Sequence, residues 1–188
     1  MREPLAKSKR RPTHLWLTLP LAALILSAGA SAELSRVEFE ATVTSVVTRF
    51  QPFAPLYGAE LRVQFDWDRS DPGAFTSIKG NQWIVRFNGG LNRLQGLNRD
   101  LLTLTACHEI GHHFGGFPYG SDFRSVESQA DYFATQVCTQ LMWEGQPEIN
   151  ALFVDAVDPY SKNLCQNYWS RNEDRDLCYR ASHASTAL

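Results

Sequence analysis

Alternating apolar and polar residues predict a small β-sheet in the first half of the chain. In residues 61–67, Leu, Val, Phe and Trp alternate with Arg, Gln and Asp, which is the period-two pattern of a half-buried strand. Residues 75–78 read as a shorter strand after an Asp-Pro-Gly turn, and residues 82–88 as a third strand closed by two glycines. Residues 38–47 fit either a strand or a short helix. We therefore expect an antiparallel or mixed sheet.

A long apolar run then predicts a buried helix. Between residues 101 and 116 the only formally charged residue is Glu109. Asn98 can cap this helix and Gly115-Gly116 can end it, which gives bounds of about 98–114. A carboxylate inside an apolar helix costs several kcal/mol unless something compensates its charge.

The second half of the chain predicts further helices and an irregular tail. One helix is expected over about residues 123–143, with Ser121 or Asp122 as its cap. A shorter helix is expected near residues 148–157, and residues 159–188 are expected to form a cysteine-containing, loop-rich tail. The predicted fold class is α+β, in a single domain over residues 33–188.

The first 32 residues have the pattern of an export signal. A basic start precedes an apolar stretch at residues 15–28, and Ala30-Ser31-Ala32 supplies a small-x-small cleavage pattern. The apolar stretch is short for a membrane span, so we favour a cleaved signal peptide over an uncleaved anchor. The predicted location is periplasmic or extracellular, with no stable membrane anchor after cleavage.

The net charge of the exported part limits the classes of binding partner that the sequence favours. Removing residues 1–32 takes away five basic residues and one acidic residue, which leaves 13 basic and 19 acidic residues. This acidic balance disfavours nucleic acid and anionic membranes as partners.

The four cysteines all lie in the exported part and predict two disulfides, with three pairings open. A structural zinc site built from four thiolates is the alternative, which the lack of any C-x-x-C pair disfavours.

The apolar helix carries a metal-binding motif. His108, Glu109 and His112 spell H-E-x-x-H. Residues four apart share one face of a helix, so both imidazoles can point at one ion while Glu109 flanks it. Zinc would acidify a water there, and Glu109 would act as the general base.

The following helix offers the remaining ligands. Glu127 and Asp131 are also four residues apart. If this helix runs antiparallel to the first, Glu127 faces His112 and becomes the third zinc ligand, while Asp131 orients His108. Two alternatives are an ordinary solvated acidic face and Asp122 as the third ligand.

The same antiparallel register makes a disulfide between Cys107 and Cys138 the least expected pairing. At about 1.5 Å per residue the two positions are offset by roughly 9 Å, which exceeds usual Cα separations in a disulfide.

Two further features of the predicted site stay open. Residues 83–88 are either a core strand or an edge strand that holds an extended substrate by strand addition. A donor for transition-state stabilisation is also needed, and the candidates are Tyr119, Tyr179, Arg180 and His183.

His108-Glu109-Ile110-Gly111-His112 followed by Glu127-x-x-Ala130-Asp131 resembles the gluzincin pattern of the CAAX prenyl protease and HtpX family of zinc endopeptidases. The resemblance covers roughly residues 83–138. It implies a zincin-like fold, zinc ligands His108, His112 and Glu127, catalytic Glu109, and Asp131 beside a ligand histidine. In this chain only 14 residues separate His112 from Glu127.

The expected function is an exported zinc endopeptidase that acts on protein or peptide substrates. A non-catalytic zincin-fold binding module is the alternative from another class, although such a module has no need of Glu109. A zinc amidase acting on cell-wall amide bonds is a third reading. The substrate and the oligomeric state are not predicted by the sequence.

Overall fold

The structure is a computed structural model that describes residues 33–186. The predicted signal peptide, residues 1–32, lies outside the described residues. The fold is α+β, with one small sheet and several helices, as the sequence predicts. No helix within residues 33–186 has the length and apolar character needed to cross a membrane.

The sheet consists of three strands in the order β1-β3-β2: β1 (Glu60–Asp66), β2 (Ala74–Lys79) and β3 (Gln82–Asn88). β2 and β3 form an antiparallel hairpin, whereas β1 pairs with β3 in parallel, so the sheet is mixed. β3 is therefore the central strand. The interpretation of residues 83–88 as a substrate-holding edge strand is wrong, because both edges of β3 are already paired.

One face of the sheet packs on helices. The side chains of Leu61, Val85 and Phe87 are almost fully buried in the hydrophobic core. Helix α1 (Arg36–Phe50) contributes Phe39 and Val43 to the same core, so the open assignment of residues 38–47 is resolved as helix.

Helix α1 begins with a capping box at Ser35. The Ser35 hydroxyl accepts a hydrogen bond from the Glu38 backbone N–H, and the Glu38 carboxylate accepts from the Ser35 N–H, which forms a capping box. This local hydrogen bonding favours helix over strand.

The predicted apolar helix is confirmed as α3 (Arg99–Phe114), after a single turn, α2 (Gly89–Asn92). The Asn98 side chain accepts hydrogen bonds from the backbone N–H groups of Asp100 and Leu101, as expected for the cap. Gly115 is the C-cap of α3, as expected.

The second helix begins later than expected, at Glu127, and its N-cap is Val126 rather than Ser121 or Asp122. It continues as α4 (Glu127–Phe133), a π-helical turn (Ala134–Cys138) and α5 (Thr139–Trp143). Residues 119–125 instead form a hairpin, closed by an antiparallel bridge between Tyr119 and Ser125. Ser121 and Asp122 lie in the loop of this hairpin and so cannot cap a helix.

The prediction of a loop-rich tail is wrong. Residues 159–188 contain two helices, α7 (Pro159–Tyr168) and α8 (Asn172–Ser185). The helix expected at 148–157 is also wrong in its bounds, because a short helix, α6 (Pro147–Asn150), and a 3-10 turn (Ala151–Phe153) take its place. Helix α8 is anchored by a buried side chain, Arg180, which hydrogen-bonds both carboxylate oxygens of Asp100 at 2.6 and 2.9 Å. A charged residue at a core position hides the helical pattern from a reading based on apolar periodicity.

Two disulfides, Cys107–Cys138 and Cys165–Cys178, pair all four cysteines. Cys107–Cys138 is the pairing judged least expected, so that judgement is wrong: the two Cα atoms lie 5.5 Å apart. Part of the error lies in the assumed register, in which Glu127 faces His112. Gly111 packs on Ala130 instead, so Cys107 lies opposite about residue 134 rather than 132. The rest lies in extending an ideal α-helix through Cys138, because Ala134–Cys138 is a π-helical turn, which bonds residues i and i+5.

Candidate metal centre

Helix α4 lies directly against the helix that carries the H-E-x-x-H motif. The contact is made at Gly111, where a Cβ would lie only 2.7 Å from the Ala130 carbonyl oxygen. Only a residue without a side chain permits this approach. Glycine between the two histidines thus brings the helices together at the level of the proposed ligands.

Three side chains converge on one point between these helices. The Oε2 atom of Glu127 lies 3.1 Å from His108 Nε2 and 3.5 Å from His112 Nε2. One ligand atom from each residue lies within 4.8 Å of the others, so the group could hold a metal ion. Glu127 is thus placed with both histidines, as its position on the second helix predicts.

The other ring nitrogen of each histidine is occupied. His108 Nδ1 lies 2.7 Å from Asp131 Oδ1, and His112 Nδ1 lies 2.8 Å from the Ser125 carbonyl oxygen. A carboxylate and a carbonyl oxygen can only accept, so both Nδ1 atoms donate, and Nε2 is the atom of each ring left to bind a metal ion. Asp131 has the expected position. Ser125 was not foreseen, because a backbone carbonyl leaves no mark in the residue pattern.

Glu109 is buried on the same helix, with 7% of its surface exposed. Burial raises the pKa of Glu109 to about 7, and the nearby Glu127 carboxylate acts in the same direction. Electrostatic interactions with His108 and Arg124 oppose this rise. Glu109 therefore lies near enough to His108 and Glu127 for their charges to change its pKa, and burial favours its protonated form.

Asp122 does not join this group. Its carboxylate accepts a hydrogen bond from Arg124 Nε at 2.8 Å and a second from Nη2. These bonds lower the pKa of Asp122. The alternative of Asp122 as the third ligand receives no support from this arrangement.

Arg124 connects the hairpin to the free edge of the sheet. Its Nη1 donates to the Thr76 carbonyl oxygen at 2.6 Å and also to the Thr76 hydroxyl. Arg124 lines a cavity with Asp122 and with the proposed ligands His112 and Glu127. The sequence did not predict this role of Arg124. The only indication in the residue pattern is Asp122, an aspartate two residues before it that can pair with the arginine.

The candidate donors in the tail have other partners. Tyr179 is buried, Arg180 is bonded to Asp100, and His183 Nδ1 lies 3.1 Å from the Ala156 carbonyl oxygen. Tyr119 lies in the hairpin beside the site and is half exposed.

His113 packs away from the converging side chains, against the sheet. Its ring stacks on Trp83 with 5.0 Å between the centroids. Burial lowers the pKa of His113 to about 4. The stacked ring is therefore a neutral packing group in the metal-free protein at neutral pH.

No family model, curated protein or solved structure matches this chain. The geometry of His108, Glu109, His112, Glu127 and Asp131 is therefore the basis for any assignment of function.

Proposed function

We propose that the protein is an exported, zinc-dependent endopeptidase with a zincin-like fold. The observation that carries this proposal is the convergence of His108 Nε2, His112 Nε2 and Glu127 Oε2 beside the buried carboxylate of Glu109. A binding module would need the three converging atoms but would gain nothing from a buried acid beside them.

The chemistry of the donor atoms fits zinc. Two imidazole nitrogens and one carboxylate oxygen form a known ligand set of catalytic zinc, in which the fourth position stays open. The Glu127 side chain is 79% exposed, so the group faces solvent on that side. When bound, zinc would supply a Lewis acid that polarises a carbonyl group and acidifies a water molecule.

Glu109 has the properties of a residue that moves protons. A general base works best when its pKa lies near the working pH, and burial raises the pKa of Glu109 to about 7. In the proposed reaction, the Glu109 carboxylate takes a proton from the attacking water and then gives it to the leaving nitrogen. Asp131 and the Ser125 carbonyl keep the two histidines oriented meanwhile.

The free edge of β2 offers a place for an extended polypeptide. Gly73 and Asn88 lie opposite each other, and the Asn88 N–H donates to the Gly73 carbonyl oxygen. Because hydrogen-bonded pairs alternate along an antiparallel ladder, Ala74, Thr76 and Ile78 direct their backbone groups outwards. The Thr76 carbonyl oxygen already accepts from Arg124, so a substrate strand can pair with the outward groups of Ala74 and Ile78, which supports protein or peptide substrates.

Export is part of the proposal because the two disulfides are typical of an oxidising compartment. The predicted signal sequence at residues 1–32 supplies the route.

The proposal is tested by measuring zinc content and the hydrolysis of casein and of a peptide library. We expect one zinc per chain, hydrolysis by the native protein, and loss of hydrolysis in Glu109→Gln with zinc retained. Glu127→Ala should lower zinc affinity, whereas Asp122→Ala should leave it unchanged. Stoichiometric zinc with equal inertness of the native protein and Glu109→Gln on every substrate would instead support the binding module.

A further inference from the structure

The hairpin between the two metal-site helices contains an unusual backbone conformation. Phe123 has φ = 62° and is the one non-glycine residue with positive φ within residues 33–186. This region is an outlier for a bulky side chain, and hairpin positions that require it are usually filled by Gly or Asn. The strain does not bury the ring, because Phe123 is 83% exposed.

The hairpin is held firmly between the proposed metal site and the sheet. The Ser125 N–H donates to the His112 carbonyl oxygen at 2.9 Å, and the Ser125 carbonyl in turn accepts from His112 Nδ1. On the other side, Arg124 donates to the Thr76 carbonyl oxygen of β2. Phe123 therefore belongs to a segment that is fixed between both places where a substrate would lie.

Two other aromatic rings are exposed at the start of the hairpin, one on Tyr119 and one on Phe117 just before it. Phe117 is 81% exposed and Tyr119 is 54% exposed, with 6.3 Å between their ring centroids. Clusters of exposed apolar side chains mark interaction sites. The neighbours of Phe123 on both sides, Asp122 and Arg124, line the cavity that His112 and Glu127 share, so the exposed Phe123 ring lies at the border of this cavity.

We propose that Phe123 is a specificity-determining residue, which contacts a large apolar side chain of a polypeptide lying along the edge of β2. This inference rests on the proposed function and names its substrate class: polypeptides with bulky apolar residues near the bond to be cleaved. A peptide is the occupant that the hairpin favours, because Arg124 holds the hairpin against β2 at Thr76, between the outward backbone groups of Ala74 and Ile78 with which a peptide can pair.

The test compares two fluorescently labelled decapeptides that differ only in a central Phe-Leu or Ser-Ser pair. Their dissociation constants are measured by anisotropy on zinc-loaded protein that carries Glu109→Gln, so that binding is read without turnover. We expect the Phe-Leu peptide to bind about tenfold more tightly, which is the discrimination an apolar contact typically gives. Adding Phe123→Gly or Phe123→Asn should abolish this preference, and Phe123→Leu should keep most of it.

The matched control is Tyr168→Ala, which removes an equally exposed aromatic ring from α7, where Tyr168 is 79% exposed. It should leave the preference intact. The melting temperature of Phe123→Gly should equal or exceed that of the native protein, because glycine adopts positive φ without strain. A loss of preference in a protein that is at least as stable separates recognition from folding.

The inference is overturned if Phe123→Gly keeps the preference, or if neither peptide binds at millimolar concentration. It is also overturned if Phe123→Gly abolishes binding to phosphatidylcholine–phosphatidylglycerol vesicles, or dissociates a dimer, while the peptide preference persists. Failure of the proposed function looks different. In that case the preference and its loss are observed, but zinc-loaded protein with Glu109 intact cleaves neither peptide.

Discussion

Replacing Gly111 with alanine should separate the two helices that carry the proposed metal ligands. The added Cβ would lie 2.7 Å from the Ala130 carbonyl oxygen and 2.9 Å from the Ala130 Cα. Both neighbours are backbone atoms of α4, so no side-chain rotation relieves the clash. Helix α4 must move away from α3, and Glu127 moves with it.

The size of this movement decides which property changes most. Ordinary van der Waals contact begins near 3.4 Å, so the helices must part by about 0.7 Å. Overpacking of this kind costs about 1–3 kcal/mol, and alanine recovers up to about 1 kcal/mol through its higher helix propensity. The loss of folding stability is therefore modest. Zinc sites tolerate only about 0.2 Å of error in ligand distances, so zinc affinity should fall by about 10–100-fold.

The assay is a competitive zinc titration with a chromogenic chelator, supported by thermal melts of the metal-free proteins. Gly145→Ala is the control, because no atom lies within 4 Å of its added Cβ. It should bind zinc as tightly as the native protein. If Gly111→Ala binds zinc within twofold of Gly145→Ala, the close helix contact does not position the ligands.

Three further changes test the electrostatics and the framework by urea denaturation of the metal-free protein. Burial raises the pKa of Glu109 from 4.5 to about 7, so the folded state binds the proton more tightly than the unfolded state does. The free energy of unfolding should therefore fall by up to about 3 kcal/mol as pH rises from 4.5 to about 7. Glu109→Gln should remove this pH dependence. Replacing Cys107 and Cys138 by serine opens a loop of sequence separation 31 and should cost about 4 kcal/mol. Arg180→Met should cost up to about 3 kcal/mol, because it leaves the Asp100 carboxylate, whose side chain is only 17% exposed, without its partner.

Each of these changes has a control. Replacing Cys165 and Cys178, which close a shorter loop of separation 13, should cost about 3 kcal/mol, so an equal or larger effect would contradict the loop-length argument. Arg171→Met removes an arginine whose side chain is 68% exposed and should cost under about 1 kcal/mol. For Glu109, an unchanged pH slope in Glu109→Gln would show that another group dominates the titration.

The features that local patterns determine were predicted well. Asn98 and Gly115 bound α3 because caps act through neighbouring backbone groups. Glu127 and Asp131 meet the histidines because a four-residue spacing fixes which side chains share a helical face.

The features that were missed depend on contacts between distant segments or on backbone atoms. The Ser125 carbonyl orients His112 although any residue at position 125 could supply it. The π-helical turn that ends at Cys138 changes the register without a distinctive residue pattern. Helix α8 is organised around the buried ion pair of Arg180, where an apolar residue would be the usual signal.

The disulfide between Cys107 and Cys138 has a consequence for metal binding before folding is complete. It closes residues 107–138 into a covalent macrocycle, and His108, His112, Glu127 and Asp131 all belong to this ring. An unfolded but oxidised chain therefore keeps these groups at a high mutual concentration, since the ring limits how far they can diffuse apart. Zinc can be captured by that chain as well as by the folded protein, so it stabilises the fold by less than its affinity for the folded protein alone implies. The same ring makes the proposed metal centre a chelating unit that is assembled covalently when the disulfide forms.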